Sequence, residues 1–497
     1  MIRFTTVLLL ACFSFGLQAQ TAFDALRFST LDVTATARNL GVGGTMGTLG
    51  ADFSVLSTNP AGLGAYRTSE IMLSPAFTNI QSTSLLENDA NAQEVMDSET
   101  KFLLSNVGIV FVSNPIASKW KNINFAFGLN QMNSFEQDFQ LEGSSRGSIV
   151  DRFQELANDQ FFSDFEDNLA IDAGALIFFE DTQDYGSDVE LNPNANIFRA
   201  QSVMRSGSVQ EFSLAIGGNY NEKFLVGMSI GVPVLRFTED KVYREADRNR
   251  EIPAFENLEF IEHLTTEGLG FNAKVGVTAL LTQKLRVGLA VHTPSFYALR
   301  DSFTTDFIYT YNADEILDSE LEGIQQDLAQ SPIGEFDYGL RTPWRIIGGA
   351  GLIVGKSGFV STELEVINFS SSRFNLVRNS TNPIDIENET QINNQIDSTY
   401  RTALNFRVGG ELAVKVFRFR AGLGLGFSPN KAVEDVNRLV SFGIGYRKRR
   451  FFADAAFRTS ITEGNYIPYQ TADPSLQQSV NTEVADNRIL LTVGYKF

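Results

Sequence analysis

Hydrophobic and polar positions alternate along most of the chain with a period of two, and the terminal run 487–497 shows the pattern in its simplest form. Ile489, Leu491, Val493, Tyr495 and Phe497 fall on one face of an extended strand, while Arg488, Thr492, Gly494 and Lys496 share the other with Leu490. In the same way Ile123, Phe125, Phe127 and Leu129 alternate with Asn124, Ala126, Gly128 and Asn130. Phe417, Phe419, Ala421, Leu423, Leu425 and Phe427 alternate with Arg418, Arg420, Gly422, Gly424, Gly426 and Ser428. So long an oily face opposite so small and basic a one fits lipid outside and a wet lumen inside, not a soluble core. The same period places strands at 69–80, 101–113, 122–134, 205–220, 222–238, 269–281, 284–297, 342–354, 357–369, 401–413, 416–429, 438–447, 450–461 and 487–497. Several are long enough to cross a bilayer when tilted, which takes about nine to eleven residues. The predicted fold class is all-β, a transmembrane antiparallel β-barrel of about 14 strands.

The links between these strands alternate in length. Short links follow strands 2, 4, 6, 8, 10 and 12, and most of the others are long, which is the asymmetry of periplasmic turns and extracellular loops. Charge sorts the same way. Lys119, Lys121, Lys284, Lys356 and Arg447 to Arg450 sit at short turns, whereas 136–204 holds fifteen acids against three bases. Inside that acidic link Ile149, Val150, Phe153, Leu156 and Ala157, then Phe161, Phe162, Phe165 and Leu169, recur at helical spacing. Ile316, Leu317, Leu321, Ile324 and Leu328 do so after strand 7. Two readings stand: the faces pack together as an extracellular cap, or Phe153, Phe161, Phe162, Phe165 and Leu169 form an apolar capture site for substrate. Pro75 and Pro233 lie within predicted strands and are candidate wall defects, since proline removes a ladder donor and favours bulges.

Residues 1–19 read as a signal peptide, with Arg3, an apolar core and cleavage after Ala19. A lipoprotein reading through Cys12 would leave a very short apolar core. Cys12 leaves with the signal, so no thiol remains for a disulfide or a metal. No run of eighteen apolar residues follows, yet Phe (42), Gly (40) and Tyr (13) are abundant, as an exported barrel requires. A net charge of −19 argues against nucleic acid as a partner. An enzyme reading lacks support, because the two histidines, His263 and His292, have no recognisable nucleophile motif beside them. They are also too few for a haem or metal site, so neither cofactor nor metal is expected.

Residues 20–67 have another character. Phe23 to Phe28 and Leu31 to Leu40 read as short helices, and Gly41 to Gly50 and Asn59 to Gly64 as a glycine-rich stretch and a turn. No Lys-Ser/Thr follows the glycines, so a phosphate cradle is excluded. A segment this short can fold back into a wide barrel and plug it. The run Ala35 to Met46, the element Gly50 to Ser54, Asn59-Pro60-Ala61-Gly62-Leu63, Thr342-Pro343-Trp344-Arg345 and terminal Phe497 resemble the FadL/TodX-type (OMPP1) outer-membrane transport proteins. The resemblance implies a 14-stranded barrel, 68–497, plugged by an N-terminal hatch, 20–67, and passive uptake of long-chain fatty acids or other hydrophobic small molecules. It assigns hatch and gate roles to Arg38, Asn39, Gly41, Gly43, Gly44, Asn59, Pro60, Ala61 and Gly62, with the Asn-Pro-Ala turn seating the hatch on the wall. It further implies a monomer in the Gram-negative outer membrane with both termini periplasmic, meeting lipid and lipopolysaccharide and folded by barrel-assembly machinery. Two other readings are a FadL-like barrel that anchors or binds for a protein-secretion system, and a general diffusion porin.

Overall fold

In the computed structural model, which describes residues 21–89, 91–116, 118–160, 162–315, 323–377, 383–433 and 435–497, the alternation becomes an inside and an outside. On the last strand Ile489, Leu491, Val493 and Tyr495 are exposed outward, and Arg488, Leu490, Thr492 and Gly494 are buried inward. The signal-peptide reading lies outside the described residues.

Fourteen antiparallel strands close into a barrel. In order they are β1 (Glu70–Leu86), β2 (Val95–Ser113), β3 (Trp120–Ser134, continued by Gln137–Ser145), β4 (Ile197–Tyr220), β5 (Phe224–Ala246), β6 (Phe255–Leu280) and β7 (Leu285–His292 with Phe296–Asn312). Next come β8 (Ile324–Gln330, Gly334–Arg341 and Arg345–Val354), β9 (Gly358–Asn368, continued by Arg373–Asn375), β10 (Thr402–Val414), β11 (Phe417–Phe427), β12 (Val436–Lys448), β13 (Phe451–Tyr466) and β14 (Val480–Lys496). β14 pairs with β1, Lys496 opposite Glu70, so the sheet closes on itself and no strand is left as an outer edge along its whole length. Links 114–119, 221–223, 281–284, 355–357, 415–416 and 449–450 form one rim, and the long links form the other. At 221–223 both Asn221 and Glu222 take positive φ, matching the twist that a tight hairpin requires.

Strands β4, β5 and β6 run further than the period-two reading placed them. On β6 the outward row passes from Val277, Val275, Phe271 and Leu269 to Glu267, Thr265 and His263, leaving the apolar band without leaving the strand. Outward charges there pair across strands, Arg236 with Glu267 at 3.2 Å and Arg244 with Glu259 at 2.6 Å. Hydrated strand with polar residues on both faces carries little hydrophobic signal, which is why its length was hidden. Leu423 lies mid-row on the lipid face of β11. Leu423→Lys is expected to lower the barrel's unfolding free energy by about 2–4 kcal/mol, read from urea titration in lipid.

Ahead of β1 lie α1 (Ala22–Ser29), α2 (Ala37–Gly41) and two 3-10 turns, Phe53–Leu56 and Pro60–Ala65. The helix expected over 31–40 is confined to α2; Ala35 takes a positive φ, which a continuous helix does not allow. In the link after β3, α3 (Ile149–Asn158) matches the first helical run, whereas of the second only Leu169 lies in a helix, α4 (Asp167–Asp172); Phe162, with a positive φ, and Phe165 precede it, and Phe161 lies outside the described residues. After β7, by contrast, Ile324 and Leu328 lie in a strand paired with Asn312 and Ile308, where cross-strand pairing overrides the spacing; Ile316, Leu317 and Leu321 lie outside the described residues. A further helix, α5 (Pro383–Thr399), has only a weak apolar face, Ile392 and Ile396, and packs on α1 inside the barrel.

Candidate functional site

The N-terminal segment packs against the inner faces of opposite walls. Asn59 Oδ1 accepts from the Ala61 N–H at 3.1 Å and starts the turn Pro60–Ala65, while Asn59 Nδ2 donates to Thr278 Oγ1 on β6 at 3.3 Å. Beneath this turn Gly217, Gly227 and Gly276 lie side by side on β4, β5 and β6; a Cβ on Gly227 would strike Pro60, one on Gly276 would strike Asn59, and one on Gly217 would press on Leu63 and Pro60. Gly62 closes the turn from within: its N–H donates to the Asn59 carbonyl, and its carbonyl accepts from Ala51. Across the lumen Gly41 packs on Gly443 of β12, and Gly43 on Gly422 of β11. Gly43 and Gly44 have φ of 67° and 85°, a region glycine enters without cost. Arg38 reaches Glu411 on β10 at 3.3 Å and the Ala51 carbonyl at 3.0 Å, and Asn39 Nδ2 holds the Thr34 carbonyl.

The inner wall is built of paired charges, which sequence reasoning did not anticipate. Arg407 meets Glu365 at 2.8 Å and Glu363 at 3.4 Å, Arg345 meets Glu365 at 2.9 Å, and Lys274 meets Glu211 at 2.6 Å. Asp32 joins Arg458, Arg488 and, through them, Asp486. Buried charges persist only with partners, and Asp32 with Arg458 and Arg488, like Arg38 with Glu411, ties the N-terminal segment to the wall. Apolar surface comes from α1 and α5, whose Phe28, Ala25, Ile392 and Ile396 cluster with Phe135, Phe237, Tyr297 and Tyr338.

The wall itself is interrupted. β2 and β3 pair only from Ser113 opposite Ile123 to Asn106 opposite Asn130. Beyond that point β2 keeps β1 as its sole ladder partner among the described residues, and β3 turns toward β13, its Phe139 ring 5.0 Å from Tyr466. Among the described residues side chains span the seam, Lys101 to Glu136 at 3.8 Å and Gln140 to Asp97 at 3.3 Å. The N-terminal segment takes the carbonyls freed at the seam: Asp32 N–H donates to Met132 O at 2.8 Å and Thr34 Oγ1 to Gln131 O. Pro75 marks a register shift in β1 against β2, and pairing of β5 with β6 lapses over Val232 and Pro233. Larger breaks fall at Thr293-Pro294-Ser295 in β7 and Thr342-Pro343-Trp344 in β8, side by side. There Thr342 Oγ1 accepts from the Ser295 N–H and Thr293 Oγ1 from the Ala273 N–H, replacing lost ladder bonds. The repeated Thr-Pro was the available signal; the period-two reading ran through Pro294 and began β8 only at Thr342.

A narrow cavity lies between α1 and these breaks. Its apolar lining includes Phe28, Leu31, Met132, Val209, Pro233 and Tyr297, and its polar lining Glu211, Asn272, Lys274, His292 and Arg345. At the opposite rim, the residues considered for capture divide. Phe153 is fully buried, edge-on to Phe260 at 5.3 Å and to Phe307 at 5.5 Å, and Leu169 is buried in the same cluster. Phe165 is half-buried on Phe303 at 4.6 Å, Phe162 is 47 % exposed, and Phe161 lies outside the described residues. Asp151 closes the capping box of α3 by accepting from the Ser148 N–H, and burial pushes its carboxyl up to about 6.

Neither a protein-family model nor a curated protein sequence matches the chain. Among solved structures it is similar to a FadL homologue of Pseudomonas aeruginosa, with a TM-score of 0.55 and 12 % identity over 94 % of this chain and 100 % of that one. It is also similar to the Pseudomonas putida toluene transporter TodX, with a TM-score of 0.52 and 10 % identity over 94 % and 99 %. At such identities the likeness establishes the fold.

Proposed function

We propose that the chain is an outer-membrane channel for passive uptake of hydrophobic small molecules, with residues 20–67 acting as its hatch and both termini on the periplasmic side. The observation that carries this reading is a barrel whose lumen is crossed by its own N-terminal segment beside a seam in the wall where ladder pairing stops. A general diffusion porin needs an open aqueous lumen, which packing at Asn59, Gly43 and Asp32 denies. The likeness to a toluene transporter and to a FadL homologue supports the same class of cargo.

In this mechanism an apolar molecule leaves water on the extracellular rim near Phe162, moves along apolar surface of α1 and α5, and exits through the seam between β2 and β3. Each methylene kept out of water gains about 0.8 kcal/mol, so an apolar path lowers the barrier to crossing while the concentration gradient sets the direction. Hatch movement opens the path, since Asp32, Thr34 and Ser57 all hold β3 where its pairing with β2 ends. Asn59→Ala combined with Pro60→Ala is expected to change uptake of a labelled apolar tracer by cells while leaving barrel abundance intact. Unchanged uptake, in a strain where deleting the whole protein reduces it, would remove the coupling role of the turn. No solute flux in proteoliposomes from the unaltered protein would sink the transport reading itself.

A further inference from the structure

Among the polar side chains that line the cavity between α1 and the breaks in β7 and β8, Glu211, Asn272, Lys274 and Arg345 satisfy one another or their neighbours. Lys274 Nζ donates to Glu211 at 2.6 Å and to Asn272 Oδ1 at 2.9 Å. Asn272 Nδ2 donates to Glu211 at 2.8 Å and to Ser295 Oγ at 3.0 Å, and Arg345 donates to Glu365 and to the Ser29 carbonyl. His292 differs. It is 3 % exposed, and its Nε2 lies 2.5 Å from the Thr58 carbonyl oxygen. A carbonyl can only accept, so Nε2 carries the proton and Nδ1 of the neutral ring presents a bare lone pair. That Nδ1 is buried and has no partner. An orphaned acceptor in a site is costly and marks a place where a donor belongs.

We propose that this cavity binds an apolar molecule bearing a neutral O–H donor, an alcohol or a phenol, with the hydroxyl on His292 Nδ1 and the apolar body along Phe28, Leu31, Met132 and Val209. The inference rests on the uptake reading and narrows its cargo. A plain hydrocarbon leaves Nδ1 unsatisfied. A carboxylate sets its own lone pairs against that of Nδ1 and finds Lys274 and Arg345 already neutralised by Glu211 and Glu365.

The test uses full-length protein in amphipol and three probes of equal chain length, 1-decanol, decyl methyl ether and ionised decanoate. The alcohol is expected to bind about tenfold more tightly than the ether, the worth of one buried hydrogen bond, and decanoate more weakly than the alcohol. His292→Leu should erase the difference between alcohol and ether while leaving ether affinity within about twofold. His292→Gln, which keeps a donor for Thr58 and an acceptor for the ligand, should retain much of it. Equal affinity for alcohol and ether in the unaltered protein, tightest binding by decanoate, or a preference that survives His292→Leu would overturn the inference and leave hydrophobic uptake standing. Failure of all three probes to bind would instead overturn the uptake reading, and this inference with it. The ligand series on the unaltered protein decides the matter even where the leucine variant does not fold.

Discussion

Replacing Gly227 by valine is expected to open the lumen without unfolding the wall. Gly227 sits on β5 between Gly217 of β4 and Gly276 of β6, and the Pro60 carbonyl rests directly on it. A Cβ there would lie 2.5 Å from the Pro60 carbonyl carbon and 2.9 Å from the Ala61 nitrogen, and backbone cannot yield as a flexible side chain can. Overpacking of this kind costs about 1–3 kcal/mol even among side chains. The strand itself loses nothing, because Gly227 has ordinary extended geometry and valine is well suited to a strand. The strain therefore falls on the Asn59-Pro60-Ala61 turn. In planar bilayers the variant should pass a steady ion current where the unaltered protein is closed, and a protease added to solubilised protein should cut within residues 21–66 while heat-modifiable migration of the barrel is kept. A closed, protease-resistant Gly227→Val protein would show that the glycine row is not the seat of the N-terminal segment.

The lipid-facing half of the fold was legible because one rule governs it: a residue that meets acyl chains must be apolar, and Ile489, Leu491, Phe417 and Phe419 obey it. The lumen obeys no single rule. Its polar row mixes Glu363, Glu365, Arg407 and Arg345, which in sequence cannot be told from a solvated face, and their pairing depends on the register of β8, β9 and β10. The same holds for the seam between β2 and β3, where the sequence continues to alternate on both strands although the ladder has stopped. Pro75 and Pro233 were visible as wall irregularities because proline is conspicuous in an alternating run; Pro294 was equally visible and was passed over, since Phe296 and Tyr297 resume the alternation at once. Asn59-Pro60-Ala61 stands out by resemblance, but its partners Gly217, Gly227 and Gly276 do not, because a glycine that faces the N-terminal segment looks like any glycine in a barrel. His292 gave no signal at all: its significance lies in one nitrogen being used by Thr58 and the other left free.

Asp32 should prove the strongest single anchor of the N-terminal segment. Two carboxylates, Asp32 and Asp486, face two buried guanidiniums, Arg458 and Arg488, so the group is balanced in charge. Asp32→Ala leaves one cation in excess where Arg458 and Arg488 are 1 % and 2 % exposed. Removing one partner from a buried pair costs about 3–5 kcal/mol, chiefly because the charge left behind has no water to replace it. Much of that cost should appear as release of the segment, since the Asp32 carboxylate is its link to Arg458 on β13 and Arg488 on β14, while only the backbone bond of residue 32 to Met132 O remains. The variant is expected to lose the N-terminal segment to limited proteolysis and to unfold at a lower temperature. Adding Arg488→Met removes the surplus charge and leaves Arg458 with Asp486, so the double variant should melt closer to the unaltered protein than Asp32→Ala does. Such recovery separates charge imbalance from lost packing, because the second substitution only removes further contacts. An Asp32→Ala protein with an unshifted melting temperature, or a double variant less stable than the single one, would show that the segment is held by its glycine seams and not by this group.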